Sequence, residues 1–214
     1  MLKLYYAPDT IALASIIALE EAGADYALGR VDFARGEQRG GPYLAINPKA
    51  RVPALETERG ILTETPAILL YLAQRFPAAR LAPLDDPFEL ARLQAFNSYL
   101  CATLHIAHSH RMRGSRWADD EAAFAAMRRK VPQSVGECFA LIERAHFGGG
   151  PWVLGADYSL ADGYLFTLAQ WMEADGVDPA AVPIIAGHRR RMAERPAVQR
   201  ALAAERGERR LAPA

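Results

Sequence analysis

The stretch from Asn47 to Leu72, NPKARVPALETERGILTETPAILLYL, constrains the fold of this chain more than any other segment. Thr65 has the side chain of a helix N-cap, and Pro66 suits the first helical position, where a missing N–H leaves nothing unpaired. Ala67, Ile68, Leu69, Tyr71 and Leu72 then recur as the wide apolar face of a buried helix. Upstream, Val52-Pro53 leads into a strand pattern at Ala54-Leu55-Glu56, and Glu58-Arg59-Gly60 supplies a hairpin turn. A hairpin that feeds a helix belongs to a mixed α/β layer.

The pattern on either side extends that layer. Leu2-Lys3-Leu4-Tyr5-Tyr6 reads as a strand ended by Ala7-Pro8, Ile11 to Ala22 as a helix stopped by Gly23, and Tyr26 to Val31 as a second strand. Gly36, Gly40, Gly41 and Pro42 mark a loop before a short helical turn at Tyr43-Leu44-Ala45. The order is β-α-β-(α)-β-β-α around a mixed four-stranded sheet. From Ala78 to Pro87 the chain turns rich in Pro, Ala and Asp, and beyond it strand signals give way to helical periodicity. The expected organisation is an α/β domain over 1–78, a linker over 79–87, an all-α helical bundle over 88–206 and a tail over 207–214. Within the bundle, Ser159-Leu160-Ala161-Asp162 has the form of a capping box, with Asp in place of Glu or Gln, opening a buried helix.

Composition removes several classes of function. A formal net charge of +0 gives no electrostatic case for nucleic acid or an anionic membrane as partner. No apolar run is long enough for a membrane span, and no basic segment followed by an apolar run opens the chain, so a cytoplasmic location is expected. Cys101 and Cys138 form no C-x-x-C pair and imply a reducing compartment. His105 and His108 share a helix face without a third ligand at suitable spacing, so no metal is expected.

The chemistry concentrates at the ends of elements. The amino end of the helix at Thr65 offers unpaired N–H groups and about half a positive charge to a carboxylate, the Thr65 hydroxyl joins them, and Glu64 can hold an ammonium. These groups answer both charges of an α-amino acid end. A cis turn at Val52-Pro53 would leave the Val52 N–H and C=O facing outward, where an extended ligand pairs as an added strand.

Taken together, the Val-Pro turn before the hairpin, Glu-Thr at the following helix and the helical second domain resemble the glutathione transferase superfamily over nearly the whole chain. NPKARVPAL is similar to the bacterial beta-class form, and GPWVLGADYSLADGYLF to the family's Gly-rich turn, capping box and buried helix. The resemblance implies a thioredoxin-like amino domain that binds glutathione as co-substrate. It also implies a helical domain that binds a hydrophobic electrophile, and a homodimer. On the matching positions it gives Glu64 and Thr65 the γ-glutamyl end, Val52 the main chain of the cysteinyl unit, Pro53 the cis turn, and Arg35 or the neighbouring Lys49 the glycine carboxylate. Two activities follow from it: conjugation of glutathione to electrophiles in detoxification, and glutathione-dependent reduction of peroxides or disulfides.

Catalysis is where the pattern departs. A thiol of pKa ~8.5 must be stabilised as thiolate by ~2.7 kcal/mol to move down two units. Beta-class enzymes carry a cysteine at the start of the first helix, and in this chain Ile11 occupies that position. Thr10, near the cap, and Tyr6, at the end of the first strand, remain as donors, while Tyr5 is expected to be buried on the opposite face. Asp9 opposes thiolate formation by like charge. Leu104-His105 resembles the Leu-His pair near the family's electrophile site, followed by Ile106 where lysine is common. His105 is therefore expected to line that pocket, with Tyr99, Thr103, Met112 and Trp171 as further wall positions, and His108 and His110 are expected to be solvated. The losses at Ile11 and Ile106 imply weak activity, or a noncatalytic descendant that binds a ligand or regulates a partner.

Overall fold

The computed structural model describes residues 1–147 and 149–207, so the expected tail lies outside the described residues apart from Gly207. The strands are β1 (Leu2–Tyr6), β2 (Tyr26–Arg30), β3 (Ala54–Thr57) and β4 (Gly60–Thr63). The helices are α1 (Ala12–Glu21), α2 (Gly41–Leu44), α3 (Thr65–Arg75), α4 (Pro87–Tyr99), α5 (His105–Ser109), α6 (Glu121–His146), α7 (Leu160–Ala169), α8 (Pro183–Ala193) and α9 (Pro196–Glu205). The chain divides into two compact units, Met1–Pro87 together with the chain from Ala193, and Phe88–Met192.

In the first unit the four strands lie in the order β2-β1-β3-β4. β1 pairs parallel with β2, Leu4 opposite Leu28, while β3 runs antiparallel to both β1 and β4, Leu55 facing Leu4 on one side and Leu62 on the other. This is the mixed sheet expected from the hairpin and the β-α-β start. Leu4, Ile16, Ile17, Leu19, Leu55, Ile68, Leu69 and Leu72 are fully buried. At roughly 1.5–3 kcal/mol for each such side chain, this seam between β1, β3, α1 and α3 holds the unit together.

One element departs from the sequence reading, which grouped 88–206. Helix α9 packs on α1 and belongs to the first unit. Buried Ala197, Val198, Ala201 and Ala204 give it an apolar face. Arg195 binds the Glu21 carboxylate at 2.6 and 3.0 Å, and Arg200 binds Glu20 at 2.7 Å. Helical periodicity identifies an amphipathic helix without saying which partner covers its stripe.

The second unit is helical throughout its regular elements. α7 is buried over its whole length, from Leu160 to Ala169. Asp162 accepts from the Ser159 N–H at 2.8 Å and, through its other oxygen, from the Val153 N–H at 2.9 Å. His188 of α8 lies 3.0 Å from that same second oxygen. A π-helical turn over Leu100–Leu104 separates α4 from α5. No helix among the described residues is long and apolar enough to cross a membrane.

Candidate active site

The loop from Asn47 to Pro53 is fixed before any ligand arrives. Asn47 is buried, and its amide donates to the Arg51 carbonyl at 2.7 Å, where the Tyr43 hydroxyl also donates at 2.7 Å. The Val52-Pro53 peptide is cis, as its sequence context predicts. β3 begins one residue later, at Ala54, and the N–H and C=O of Val52 have no hydrogen-bond partner among the described residues. Val52 therefore offers a main-chain donor and acceptor of the kind an added peptide pairs with.

Twelve residues of hairpin and turn, 53–64, lead from Val52 to α3. The helix starts one position earlier than the sequence indicates, with Glu64 in the cap role: its carbonyl accepts from the Ile68 N–H at 3.0 Å. Thr65 is buried and makes no side-chain cap bond, and the N–H groups of Thr65 and Ala67 have no partner among the described residues. These donors are what a carboxylate needs. Glu64 has φ 71°, ψ 119°, a conformation that costs a non-glycine residue roughly 1–3 kcal/mol and persists where the surroundings impose it.

Lys49 joins the two halves. Its Nζ lies 2.6 Å from Glu64 Oε1 and 2.6 Å from Thr63 Oγ1. The pair is about half exposed on both sides, and such pairs are worth ~0–1 kcal/mol, so a ligand ammonium can displace it readily. Val52, Pro53, Glu64, Thr65 and Lys49 are thus brought together. Arg35 sits on the loop after β2, largely exposed, with Asp32 at 3.9 Å as its ion-pair partner.

At the start of α1 the donors are arranged differently from expectation. Thr10 Oγ1 donates to the Ala7 carbonyl at 2.7 Å and accepts from the Ala12 N–H at 3.4 Å. Its proton is therefore in use until the side chain rotates. The Ile11 side chain is buried, but its backbone N–H has no partner among the described residues and lies at the positive end of α1. Tyr6 is only 4% exposed, and burial raises its pKa above the ordinary phenol value, which makes it the poorer donor. The two tyrosines exchange the places expected of them: Tyr5 is half-buried, donates to Glu56 at 2.9 Å, and lines a cavity of about 300 Å³ with Arg30, Val31, Tyr43 and Ile46. Strand alternation separates the two side chains but does not say which face the helices cover.

In the helical unit, His105 follows the π-helical turn and lies with its ring 5.6 Å from that of Trp171. His108 is not solvated. Its Nδ1 meets both oxygens of buried Asp175, at 2.7 and 2.9 Å, and its ring stacks on Trp171 at 4.2 Å. His110 contacts Trp117 edge-on at 4.5 Å. Among the described residues no group of three or more His, Cys, Asp or Glu side chains could hold a metal ion.

A thioredoxin-like sheet with a cis-proline edge, an open helix terminus beside it and a separate helical unit define the class: a two-unit protein with a thioredoxin-like first unit and an all-helical second one. Residues 1–74 match the family Glutathione S-transferase, N-terminal domain. The chain is 35% identical to the glutathione S-transferase GstA of Escherichia coli O157:H7 over 207 residues, 95% of this chain and 98% of that one. A Sulfitobacter glutathione transferase homolog solved with bound glutathione superposes with a TM-score of 0.91 at 46% identity, over 97% of this chain and 99% of that one. A beta-class glutathione S-transferase from Sphingomonas chungbukensis gives 0.82 at 34% identity, over 95% and 98%. The chain belongs to the glutathione transferase superfamily.

Proposed function

We propose that this protein is a cytoplasmic, homodimeric glutathione transferase of detoxification, and that glutathione binds along the edge running from Val52 to the amino end of α3. The observation that carries this reading is the pair of main-chain groups on Val52 without a partner among the described residues, two residues before Ala54, which pairs with Thr63 next to Glu64 and the open α3 terminus. Glu64 releases Lys49 and takes the γ-glutamyl ammonium, and the Thr65 hydroxyl with the Thr65 and Ala67 N–H groups takes the neighbouring carboxylate. Val52 pairs with the cysteinyl main chain. Lys49, once freed, turns to the glycine carboxylate, with Arg35 as the second cation available to it.

The thiol then loses its proton and attacks. The free Ile11 N–H and the field of α1 stabilise the thiolate, and Thr10 adds a hydrogen bond when it turns from the Ala7 carbonyl. The helical unit, through His105 and Trp171, supplies recognition of a hydrophobic electrophile. The same thiolate can attack a peroxide or a mixed disulfide, which gives the reductase activity as a second outlet. Glutathione at millimolar concentration is expected to raise the melting temperature, and Thr65→Val to abolish most of that shift. A native protein whose melting is indifferent to glutathione sinks the reading.

The occupied Thr10 hydroxyl, the buried Tyr6 and the apolar Ile11 favour a second reading, a protein that binds glutathione without turnover. Measurable conjugation of a chlorodinitrobenzene, reduced by Thr10→Val, excludes it.

A further inference from the structure

The cavity beside Tyr5 lies wholly within the first unit and shares no residue with the glutathione edge. Alternation along β1 puts Leu2, Leu4 and Tyr6 in the core and turns Tyr5 to the other face of the sheet. There its ring lies against β2: a Cβ at Gly29 would sit 2.8 Å from Tyr5 Cδ1, so the glycine makes the room. Glu56 holds the Tyr5 hydroxyl at 2.9 Å, and the Tyr43 ring meets the Tyr5 ring edge-on at 6.0 Å. Both hydroxyls are in use, so with Val31 and Ile46 the wall offers ring faces and alkyl groups to an occupant. One charge at the cavity is unmet. Glu37 Oε2 accepts from the Asp32 N–H at 2.8 Å, whereas Arg30 makes no hydrogen bond or ion pair with any described residue. About 300 Å³ of mainly apolar space beside such a guanidinium suits a flat aromatic ring that carries a carboxylate.

Tyr43 ties this cavity to the glutathione edge. Its ring is part of the cavity wall, and its hydroxyl donates to the Arg51 carbonyl at 2.7 Å, one residue before Val52. Burial pushes that hydroxyl up to about 12, so it stays a donor. We propose that the cavity is an effector site for small aryl carboxylates, which bind by Arg30 and the two tyrosine rings and, through Tyr43, favour glutathione at Val52; the coupling rests on the function proposed above. An occupant packed on the Tyr43 ring keeps the hydroxyl on Arg51, and a loop already ordered costs glutathione less to engage. By linkage, glutathione favours the carboxylate by the same factor.

The test is a calorimetric titration of the full chain with 2-naphthoate, with and without saturating glutathione. Arg30 is exposed, so Arg30→Ala leaves the fold intact; it is expected to weaken naphthoate binding about tenfold, the scale of a hydrogen bond to a charged group. Ile46→Phe fills the cavity and should remove binding. Glutathione should tighten naphthoate about fivefold, and naphthoate should tighten glutathione equally. Tyr43→Phe keeps the ring and deletes the hydroxyl, so it should retain naphthoate binding and abolish the coupling. Naphthoate that does not bind, or that binds the native protein and Arg30→Ala equally, overturns the site. Binding without any change in glutathione affinity, or coupling that survives in Tyr43→Phe, overturns the effector role. A chain that takes up naphthoate through Arg30 and binds no glutathione overturns the function proposed above, and the coupling with it, while the carboxylate site stands.

Discussion

Glu64 combines strain with exposure, and the two can be separated by substitution. At φ 71° the backbone suits glycine better than glutamate, so Glu64→Gly removes strain while deleting the carboxylate that pairs with Lys49. We expect the melting temperature of Glu64→Gly to stay within a few degrees of the native value, because the relieved strain offsets the larger chain entropy of glycine. Glutathione affinity, read by calorimetric titration, should fall about tenfold or more, since a hydrogen bond to a charged group is worth ~1.5–3 kcal/mol. A parallel loss of stability and affinity would show that Glu64 is a structural residue alone. At the start of α1, Tyr6→Phe is expected to leave kcat/KM for a chlorodinitrobenzene within about twofold, and Thr10→Val to lower it about tenfold; the reverse ranking would restore Tyr6 as the donor. The linear motifs made the cis turn at Val52-Pro53 and the helix start at Glu64-Thr65 legible, because a turn and a helix terminus are properties of adjacent residues. The Lys49 contact with Glu64 was not, since it depends on how the hairpin folds back, and neither was the partner of His108, which lies 67 residues away at Asp175.

At the scale of elements, α7 shows how much one carboxylate can organise. Asp162 is fully buried and satisfies the Ser159 and Val153 N–H groups while facing His188 across the unit. The sequence revealed its local half, because a capping box is written within four residues. Its contact with His188 joins α7 to α8 and had no local signature. Asp162→Ala leaves two buried N–H groups and a buried imidazole without their acceptor, each costing ~1–3 kcal/mol. The expected loss is about 3–5 kcal/mol, read as a lower urea midpoint with an unchanged slope. His188→Phe, which removes only the long-range partner, should cost less than Asp162→Ala. If the two cost the same, the cap contributes nothing and the tie between α7 and α8 is the whole effect. The π-helical turn at Leu100–Leu104 escaped the sequence for a related reason: an extra residue in a helical turn shifts the register of side chains while preserving the apolar period around it.

For the whole molecule, the placement of α9 on α1 makes the last turn of the described chain a determinant of how stability responds to pH. Glu205 is 6% exposed, and its Oε1 has no hydrogen-bond partner among the described residues. Burial, and then the like charge of Asp9, push its carboxyl from 4.5 up to about 7; a backbone hydrogen bond from Asp9 and the charge of Arg206 oppose the rise without cancelling it. Between those two values the folded chain holds a proton that the unfolded chain has released, so stability is greatest below about pH 4.5 as far as this group is concerned. It declines as pH rises, and the full penalty is reached above about pH 7. A shift of that size corresponds to ~3 kcal/mol, and solvent at the helix end reduces it, so the penalty is set at about 1–3 kcal/mol. Glu205→Gln carries no charge at any pH. It should therefore match the native protein near pH 4.5 and exceed it by that amount near pH 8, a gain of several degrees in melting temperature for a chain of this length. The comparison uses the native protein and the variant in the same buffers, so the titration of every other carboxylate cancels. A constant difference across the range would mean that Glu205 ionises freely in the folded state, and that α9 rests on α1 through its apolar face and arginine pairs alone.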